Sequence, residues 1–223
     1  MTTIPEIVED IISRSPFLVE AISDDIINFS ALARNIRPEI EKRLHKEVQN
    51  GAIVMALKRM KPRLMGQNLE GDVQEYLRSM GEIIVRSDLV DFAFKNSSTL
   101  VGKQQQLLNK LQEQKDIFHA SSKGVYETNI VTSKWIEREV MQIFEEEELL
   151  SKIDDLASVT MRMPTTYSKD VPGVFYYILR RLAWENINVV EIISTKHEFS
   201  LIVDKDAVNT TFNMLNDMKS RRS

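Results

Sequence analysis

The sequence of 223 residues predicts an α+β fold, with a helical N-terminal domain followed by two α/β modules. Two observations predict it. Over residues 4–60, apolar residues recur at helical spacing and no useful stretch alternates with period two. Further along, the element order strand–helix–strand–strand–helix begins near residue 88 and again near residue 156. We therefore expect a helical domain over 1–63, a linker over 64–87, and modules over 88–154 and 155–223.

The N-terminal domain is predicted to consist of several short helices. Pro16 begins the second of them, and Asn28 or Ser30 can cap the third. Pro38 stands where a first-turn proline would begin a fourth helix. The pair Asn50-Gly51 then ends it, and helical spacing starts again directly afterwards.

The charge changes sign inside this domain. Residues 1–33 carry six acidic residues against one basic residue, whereas residues 34–63 carry nine basic residues against three acidic ones. The segment INFSALARNIRPEIEKRL has the layout of a helix-turn-helix, with a tight break at Arg37–Pro38. The candidate DNA-contacting residues are basic side chains of this segment and its end: Arg34, Arg37, Lys42, Arg43 and Lys46.

A helical bundle whose basic face packs on its acidic face explains the same charges. Glu39 and Glu41 also occupy the start of the second predicted helix, where DNA-reading helices carry residues that reach base edges. The sequence therefore leaves two possibilities open for this domain, a DNA interface or a neutralised bundle.

The first module is predicted from alternation and then helical spacing. Val90, Phe92 and Phe94 alternate in a strand, and a helix follows behind Ser97/Ser98. Residues 116–120 and 125–132 are predicted as extended segments around a turn at Gly124, before an amphipathic helix over 136–144. The second module repeats this order, with strands over 156–163, 187–195 and 199–204, a helix over 171–186, and a last helix that Asp206 can cap.

Composition and motifs argue against catalysis and cofactors. Cysteine is absent, which excludes disulfides, thiolate metal sites and cysteine nucleophiles and is typical of a reducing cytoplasm. The three histidines form no metal-binding motif, and no glycine-rich nucleotide loop occurs. The four acids of Glu145–Glu148 point around a helix and are predicted to be solvated. We expect a non-enzymatic cytoplasmic protein without metal or cofactor.

No segment predicts membrane association. No apolar run approaches the ~20 residues of a membrane span. The N-terminal residues lack the basic lead and the small-residue cleavage site of a secretory signal.

The second module resembles a known family. The stretch DVPGVFYYILRRLAWENINVVEIIST, followed by EFSLIVDKDAVNTTFNML, resembles the ACT domains of aspartate kinase and related amino-acid-sensing proteins over about 60 residues. The resemblance implies tandem ferredoxin-like βαββαβ modules that pair sheet to sheet and bind small ligands, commonly amino acids. It rests on these residues: Pro172, Gly173, Val174, Ile178, Leu182, Ala183, Ile187, Asn188, Val189, Ile192, Ser194, Val203 and Asp204.

The resemblance also implies a ligand site where the first loop and helix of the module meet a partner domain. Gly173 lets a backbone N–H approach a ligand closely, and the helix N-terminus behind it favours a carboxylate. The plain alternative is that Pro172-Gly173 only turns the chain from strand to helix. The ligand-binding residues implied by the family pattern are Met163, Ser168, Asp170, Val171, Gly173, Asn188 and Val190.

The sequence departs from the family pattern in three places. The first module has Asn96-Ser97-Ser98-Thr99 in place of a Pro-Gly loop, and nothing resembles the aspartate kinase catalytic domain. The second module ends in a helix, so its final strand must come from elsewhere in the chain, with Glu82–Arg86 as a candidate, or from a second subunit. Because an uncovered sheet edge invites pairing, we predict a homodimer.

These patterns together predict a non-catalytic regulatory protein that senses a small ligand, an amino acid, through its ACT-like modules. Two alternatives remain. The N-terminal domain would make the protein a ligand-responsive transcription regulator if it binds DNA. The protein would otherwise be a regulatory subunit that docks on an amino-acid biosynthetic enzyme such as aspartate kinase.

Overall fold

The computed structural model describes residues 3–65, 69–112, 114, 116–164 and 171–220. The chain divides into two compact units, Met1–Leu69 and Glu70–Ser223. Among the helices of these described ranges, none has both the length and the apolar character needed to cross a bilayer.

The first unit is helical. Its helices bury a shared apolar core in which Val8, Ile12, Ile40 and Leu57 are fully enclosed. The predicted cap is confirmed, because the side-chain oxygen of Asn28 accepts hydrogen bonds from the N–H groups of the second and third residues after it, each at 3.0 Å. The described helices are α1 (Ile4–Ser13), α2 (Pro16–Ser23), α3 (Phe29–Leu44) and α4 (Asn50–Met65).

The predicted break at Arg37–Pro38 is wrong. Helix α3 runs without interruption through Pro38, so the helix-turn-helix layout expected there does not exist. A proline inside a helix removes one backbone hydrogen bond and costs about 3 kcal/mol. The apolar stripe of Leu32, Ile36 and Ile40 continues at helical spacing on both sides of the proline and is buried, and its burial offsets that cost.

The segment 64–87, predicted as a linker, contains the boundary between the two compact units, after Leu69, and regular elements occupy most of its residues. Helix α5 (Leu69–Ser79) and the start of strand β1 (Ile83–Lys95) fall within these residues. The few apolar residues of α5, Val73 and Leu77, lie four positions apart on one face and are buried in the core of the second unit. The helical spacing of these two residues therefore predicts the helix better than the low number of apolar residues in the segment does.

The second unit contains one antiparallel six-stranded sheet with helices, as the predicted α+β class requires. The strand order is β2-β3-β1-β4-β6-β5. The two predicted modules lie side by side in it, because β1 and β4 are central neighbours and each has its own pair of strands outside it. The remaining elements are α6 (Leu100–Leu111), β2 (His119–Lys123), β3 (Glu127–Ser133), α7 (Glu137–Ile143), β4 (Leu149–Arg162), α8 (Val174–Trp184), β5 (Val189–Ser194), β6 (Glu198–Asp204) and α9 (Val208–Ser220).

The missing strand of the second module comes from its own chain. Residues Ile83–Arg86 of β1 pair with β4 in the register Ile83↔Met161, which confirms the prediction that this segment closes the sheet. The first module is closed in the same way, because the start of β4 pairs with Asp91–Phe94 of β1. The missing strand therefore gives no reason to invoke a second subunit.

Each long strand bends where it passes from one module to the other. Asp88 of β1 and Asp155 of β4 have φ angles of 56° and 58°, and the β1–β4 register shifts between Arg86 and Leu89. Aspartate tolerates this left-handed conformation better than most residues do. The bends allow the two halves of each strand to follow different modules.

The two faces of the sheet differ. Val90, Phe92 and Phe94 face α6 and α7, whereas Val159 and Met161 face α8 and α9. None of the described helices of the second unit contributes to the core on the opposite face, which is formed by Leu89, Val131, Leu156 and Ile202 with Phe118, Val190 and Ile193.

This opposite face is concave. The side-chain amide of Asn129 on β3 donates to the Glu191 carboxylate on β5, although three strands lie between them. In a flat sheet these strands would be roughly 19 Å apart, at about 4.8 Å per strand spacing. Two side chains cannot span that distance, so the sheet curls around this face.

Candidate functional site

The loop before α8 is the candidate ligand site of the second module. Gly173 is the N-cap residue of α8 and has φ 91°, a conformation that glycine adopts without strain. Among the described residues, nothing lies within 4 Å of the position that a side chain would take here. Gly173 itself has no side chain with which to cap the first turn of α8.

Two other predicted residues lie at the same end of the strands. Met163 is buried at the end of β4, and its N–H donates to the His197 carbonyl at 2.8 Å. Val171 is half-buried and packs against the core beneath α8. Met163 and Val171 therefore belong to the same hydrophobic cluster as Val174, the first residue of α8 after Gly173. Ser168 and Asp170 fall outside the described residues.

Asn188 and Val190 lie elsewhere. They stand at the start of β5, where Val189 pairs with Val203, and Val203 in turn pairs with Ala157. Met163 is six residues further along β4, which corresponds to roughly 20 Å at about 3.3 Å per residue. One chain thus does not bring all the predicted ligand-binding residues together. A site that uses both groups needs a second copy or a partner domain.

The corresponding loop of the first module is filled by a carboxylate of the chain itself. Glu147 is buried, and its two carboxylate oxygens accept hydrogen bonds from Ser97 Oγ at 2.6 Å and Thr99 Oγ1 at 2.7 Å. Ser97 Oγ also accepts from the Leu100 N–H at the start of α6. The loop, the helix N-terminus and the acid form one closed network.

The electrostatics of this network favour an ionised acid. Hydrogen bonds from Ser97 and then Thr99 lower the pKa of the Glu147 carboxyl, and the nearby charge of Lys103 lowers it further. Partial burial acts in the opposite direction and is outweighed. The loop before α6 is therefore a carboxylate-binding site, although its occupant is internal.

Sequence reasoning missed Glu147. The run Glu145–Glu148 was predicted to be solvated, and this holds for Glu145, Glu146 and Glu148, which are exposed. Glu147 alone turns inward. The available signal was the hydroxyl-rich Ser97-Ser98-Thr99 loop, but nothing in a single sequence relates that loop to an acid fifty residues later.

The basic candidates of the first unit are partly neutralised within it. Arg43 pairs with Asp10 of α1 and with Glu39, and Arg37 pairs with Glu41 at 2.8 Å. Arg34, Lys42 and Lys46 are exposed. A further ion pair, between Lys61 and Asp25 at 2.7 Å, joins the basic segment to the acidic one. These pairs are those expected of a neutralised bundle.

The described residues offer no metal site, since no three of their His, Cys, Asp or Glu side chains are arranged to hold an ion.

Comparison with known proteins gives matches at the level of structure. No protein-family model matches the sequence, and no curated protein matches it. The aspartate kinase of Clostridium acetobutylicum, an allosteric enzyme, matches with a TM-score of 0.51 and 16% identity over 63% of this chain and 35% of that chain. The present chain therefore spans about a third of the length of that enzyme.

Two shorter proteins match over nearly their whole length. A structure of aspartokinase alpha and beta subunits matches at TM-score 0.49 and 16% identity, covering 62% of this chain and 97% of that one. The regulatory subunit of aspartate kinase from Thermus thermophilus matches at TM-score 0.48 and 13% identity, covering 63% and 98%. At these scores neither carries the argument. The likeness to the Clostridium enzyme shows a shared fold with part of that enzyme, in agreement with the expected ACT-like fold.

Proposed function

We propose that this protein is a non-catalytic regulatory protein that binds a free amino acid at the Gly173 loop. The amino-acid carboxylate would take the backbone N–H groups at the start of α8. The ligand site is completed by Asn188 and Val190 of a second copy, because one chain holds these two residues at the far end of the strands. The proposal therefore includes a homodimer formed through the ACT-like sheets.

The contrast between the two loops is the observation that carries this proposal. In the first module, a carboxylate occupies the position between the loop and the start of α6 and makes two short hydrogen bonds there. In the second module, the matching position before α8 has an open backbone and no described carboxylate. The two loops have matching positions in the two modules. Because a carboxylate of the chain itself fills the loop before α6, we infer that a carboxylate from an external ligand binds at the loop before α8.

The regulatory role is supported by the fold and by the absence of catalytic motifs from the sequence. A regulatory protein of this kind acts through another protein, and we propose an amino-acid biosynthetic enzyme of the aspartate kinase type as that partner. The DNA-binding alternative has less support, since the ion pairs of Arg37 and Arg43 use two of its five candidate contacts within the bundle.

A thermal-shift screen of the twenty amino acids against the full chain tests the ligand proposal. A ligand that binds only the folded state raises the melting temperature, by an amount that grows with concentration above Kd. We expect one amino acid or a small related group to give a saturable rise. No rise with any of them would contradict the proposal.

The loop is tested by placing a negative charge in it. In Gly173→Asp the new carboxylate competes for the same N–H groups and should abolish the ligand-induced rise. The matched control is Gly102→Asp in the first turn of α6, where a side chain also meets nothing within 4 Å. The control should keep the rise. A ligand response that survives Gly173→Asp would place the ligand elsewhere.

A further inference from the structure

The concave face of the sheet carries a buried acid, Asp91, whose carboxylate accepts a hydrogen bond from the Phe92 backbone N–H but has one oxygen without a partner. Asp91 lies on β1, in register with Val131 of β3 and Ile153 of β4. Its residue surface is 3% exposed, and Oδ1 is enclosed without any donor. Ser158, which pairs with Arg86 across the β1–β4 bend, likewise has a buried hydroxyl without a partner. Buried polar groups are nearly always satisfied, so this face lacks a component.

A second carboxylate lies close to the first. Glu191 of β5 reaches across the concavity to the amide of Asn129. Burial, followed by the negative charge of Glu191, raises the pKa of the Asp91 carboxyl to about 6, and Glu127 adds to the rise. Glu191 and Asn129 are only half-buried, so the pair of acids is reached from solvent through them.

No basic side chain of the described residues neutralises this pair. β1 presents two cations to the same face, Arg86 and Lys95. The Arg86 guanidinium donates to the Asp116 carbonyl at 3.2 Å, and Lys95 Nζ pairs with the Glu148 carboxylate at 2.7 Å. None of the described acids forms a trio suited to a metal ion. The side chains that β2, β4 and β6 present to this face near the pair are uncharged: Ala120, Ser122, Ser151, Ile153, Ser200 and Ile202.

We propose that the concave face is a second binding site, separate from the Gly173 loop, which takes the ammonium group of a small organic amine between the Asp91 and Glu191 carboxylates. An ammonium group supplies both a positive charge and hydrogen-bond donors, neither of which the described residues supply to Asp91 Oδ1. Its charge offsets two neighbouring acids, and its N–H groups satisfy the buried Oδ1. The apolar walls of the face, Leu89, Leu156 and Ile202, would contact the carbon part of the amine.

The probe is methylammonium chloride, titrated into the ¹⁵N-labelled full chain at pH 7.5 and constant ionic strength. We expect the backbone amides of Asp91 and Glu191 to shift saturably. Tetramethylammonium, which has the same charge but no N–H donor, should give no saturable shift. Equal responses to the two ions, or no saturable response to methylammonium, would overturn the proposal.

Two variants locate the site. Asp91→Asn keeps the shape and removes the charge, and Glu191→Gln does the same from the other side; each should weaken methylammonium binding at least tenfold. The control is Glu198→Gln, which removes an exposed acid from β6 and should change the apparent Kd less than twofold. If both Asp91→Asn and Glu191→Gln bind methylammonium as the unmodified chain does, the site is not here. Neither outcome depends on the ligand of the Gly173 loop.

Discussion

At the residue scale, the most distinctive features of the two modules are two buried carboxylates, those of Glu147 and Asp91. Glu147 is satisfied by two hydroxyl groups, whereas Asp91 has an oxygen with no donor. The sequence predicted neither, since both are acids within ordinary strand or acidic patterns. Burial of a charged side chain depends on what the opposite element brings to it, and a single sequence contains no direct signal of that contact.

The satisfied acid should contribute measurably to stability. Glu147→Gln keeps the side-chain volume but replaces one carboxylate oxygen by an NH₂ group. That group cannot accept the hydrogen bond that the Ser97 or Thr99 hydroxyl donates to the carboxylate. We expect the free energy of unfolding to fall by about 1–3 kcal/mol at pH 7. Urea denaturation measures it. The control Glu146→Gln breaks only the exposed ion pair with Lys103 and should stay within about 0.5 kcal/mol of the unmodified chain.

The pH dependence of this effect follows from the lowered pKa. A folded-state pKa below the unfolded value of 4.5 gives stability that is present above pH 4.5 and is lost as the pH falls through the folded-state value. The difference between Glu147→Gln and the unmodified chain should therefore shrink in acid. A difference that stays constant into acid would contradict the ionised network.

Asp91, the acid with the unpartnered oxygen, should give the opposite pH dependence of stability. The pKa of Asp91 rises from 3.8 to about 6 on folding, so the folded state holds its proton more tightly. The stability from this group is full below pH 3.8 and is lost as the pH rises through about 6. The loss is on the order of 3 kcal/mol. Asp91→Asn should thus be more stable than the unmodified chain at pH 7.5, with the gain vanishing near pH 4; urea denaturation across that range checks this.

At the element scale, the sequence located most helices and strands but placed two boundaries wrongly. Alternation found β1 from Leu89 onward but missed its first half, because Ile84 and Val85 point to opposite faces and are both exposed, so the segment shows no buried alternation. The segment pairs with β4, and pairing with a distant strand is invisible to local periodicity. The prediction that Glu82–Arg86 supplies the closing strand succeeded because it came from the element count of the module rather than from local pattern.

Helix α3 gives the clearest test of an element boundary. If Pro38 lies inside a continuous helix, Pro38→Ala restores a backbone donor and removes a steric clash with the preceding turn. The free energy of unfolding should then rise by about 1–3 kcal/mol. If Pro38 instead began a separate helix, as the helix-turn-helix layout required, alanine would give no gain. Thermal and urea unfolding of the full-length variant distinguish the two.

At the scale of the whole molecule, the two modules are not independent. Each central strand completes the sheet of the other module, and the bends at Asp88 and Asp155 occur at matching positions of the repeat. The near-repetition of element order in the sequence therefore describes one sheet with internal symmetry. One of its two matching loops is closed by Glu147, and the other is open at Gly173.

The most direct test of the central claim is the backbone amide signal of Gly173 in the ¹⁵N-labelled full chain, followed while each of the twenty amino acids is titrated. We expect at least one of them to shift the Gly173 amide and the first-turn amides of α8 saturably, while the Gly102 amide of α6 stays in place because Glu147 fills that loop. If no amino acid moves the Gly173 amide, or if the saturable shifts appear at Gly102 instead, the account is contradicted.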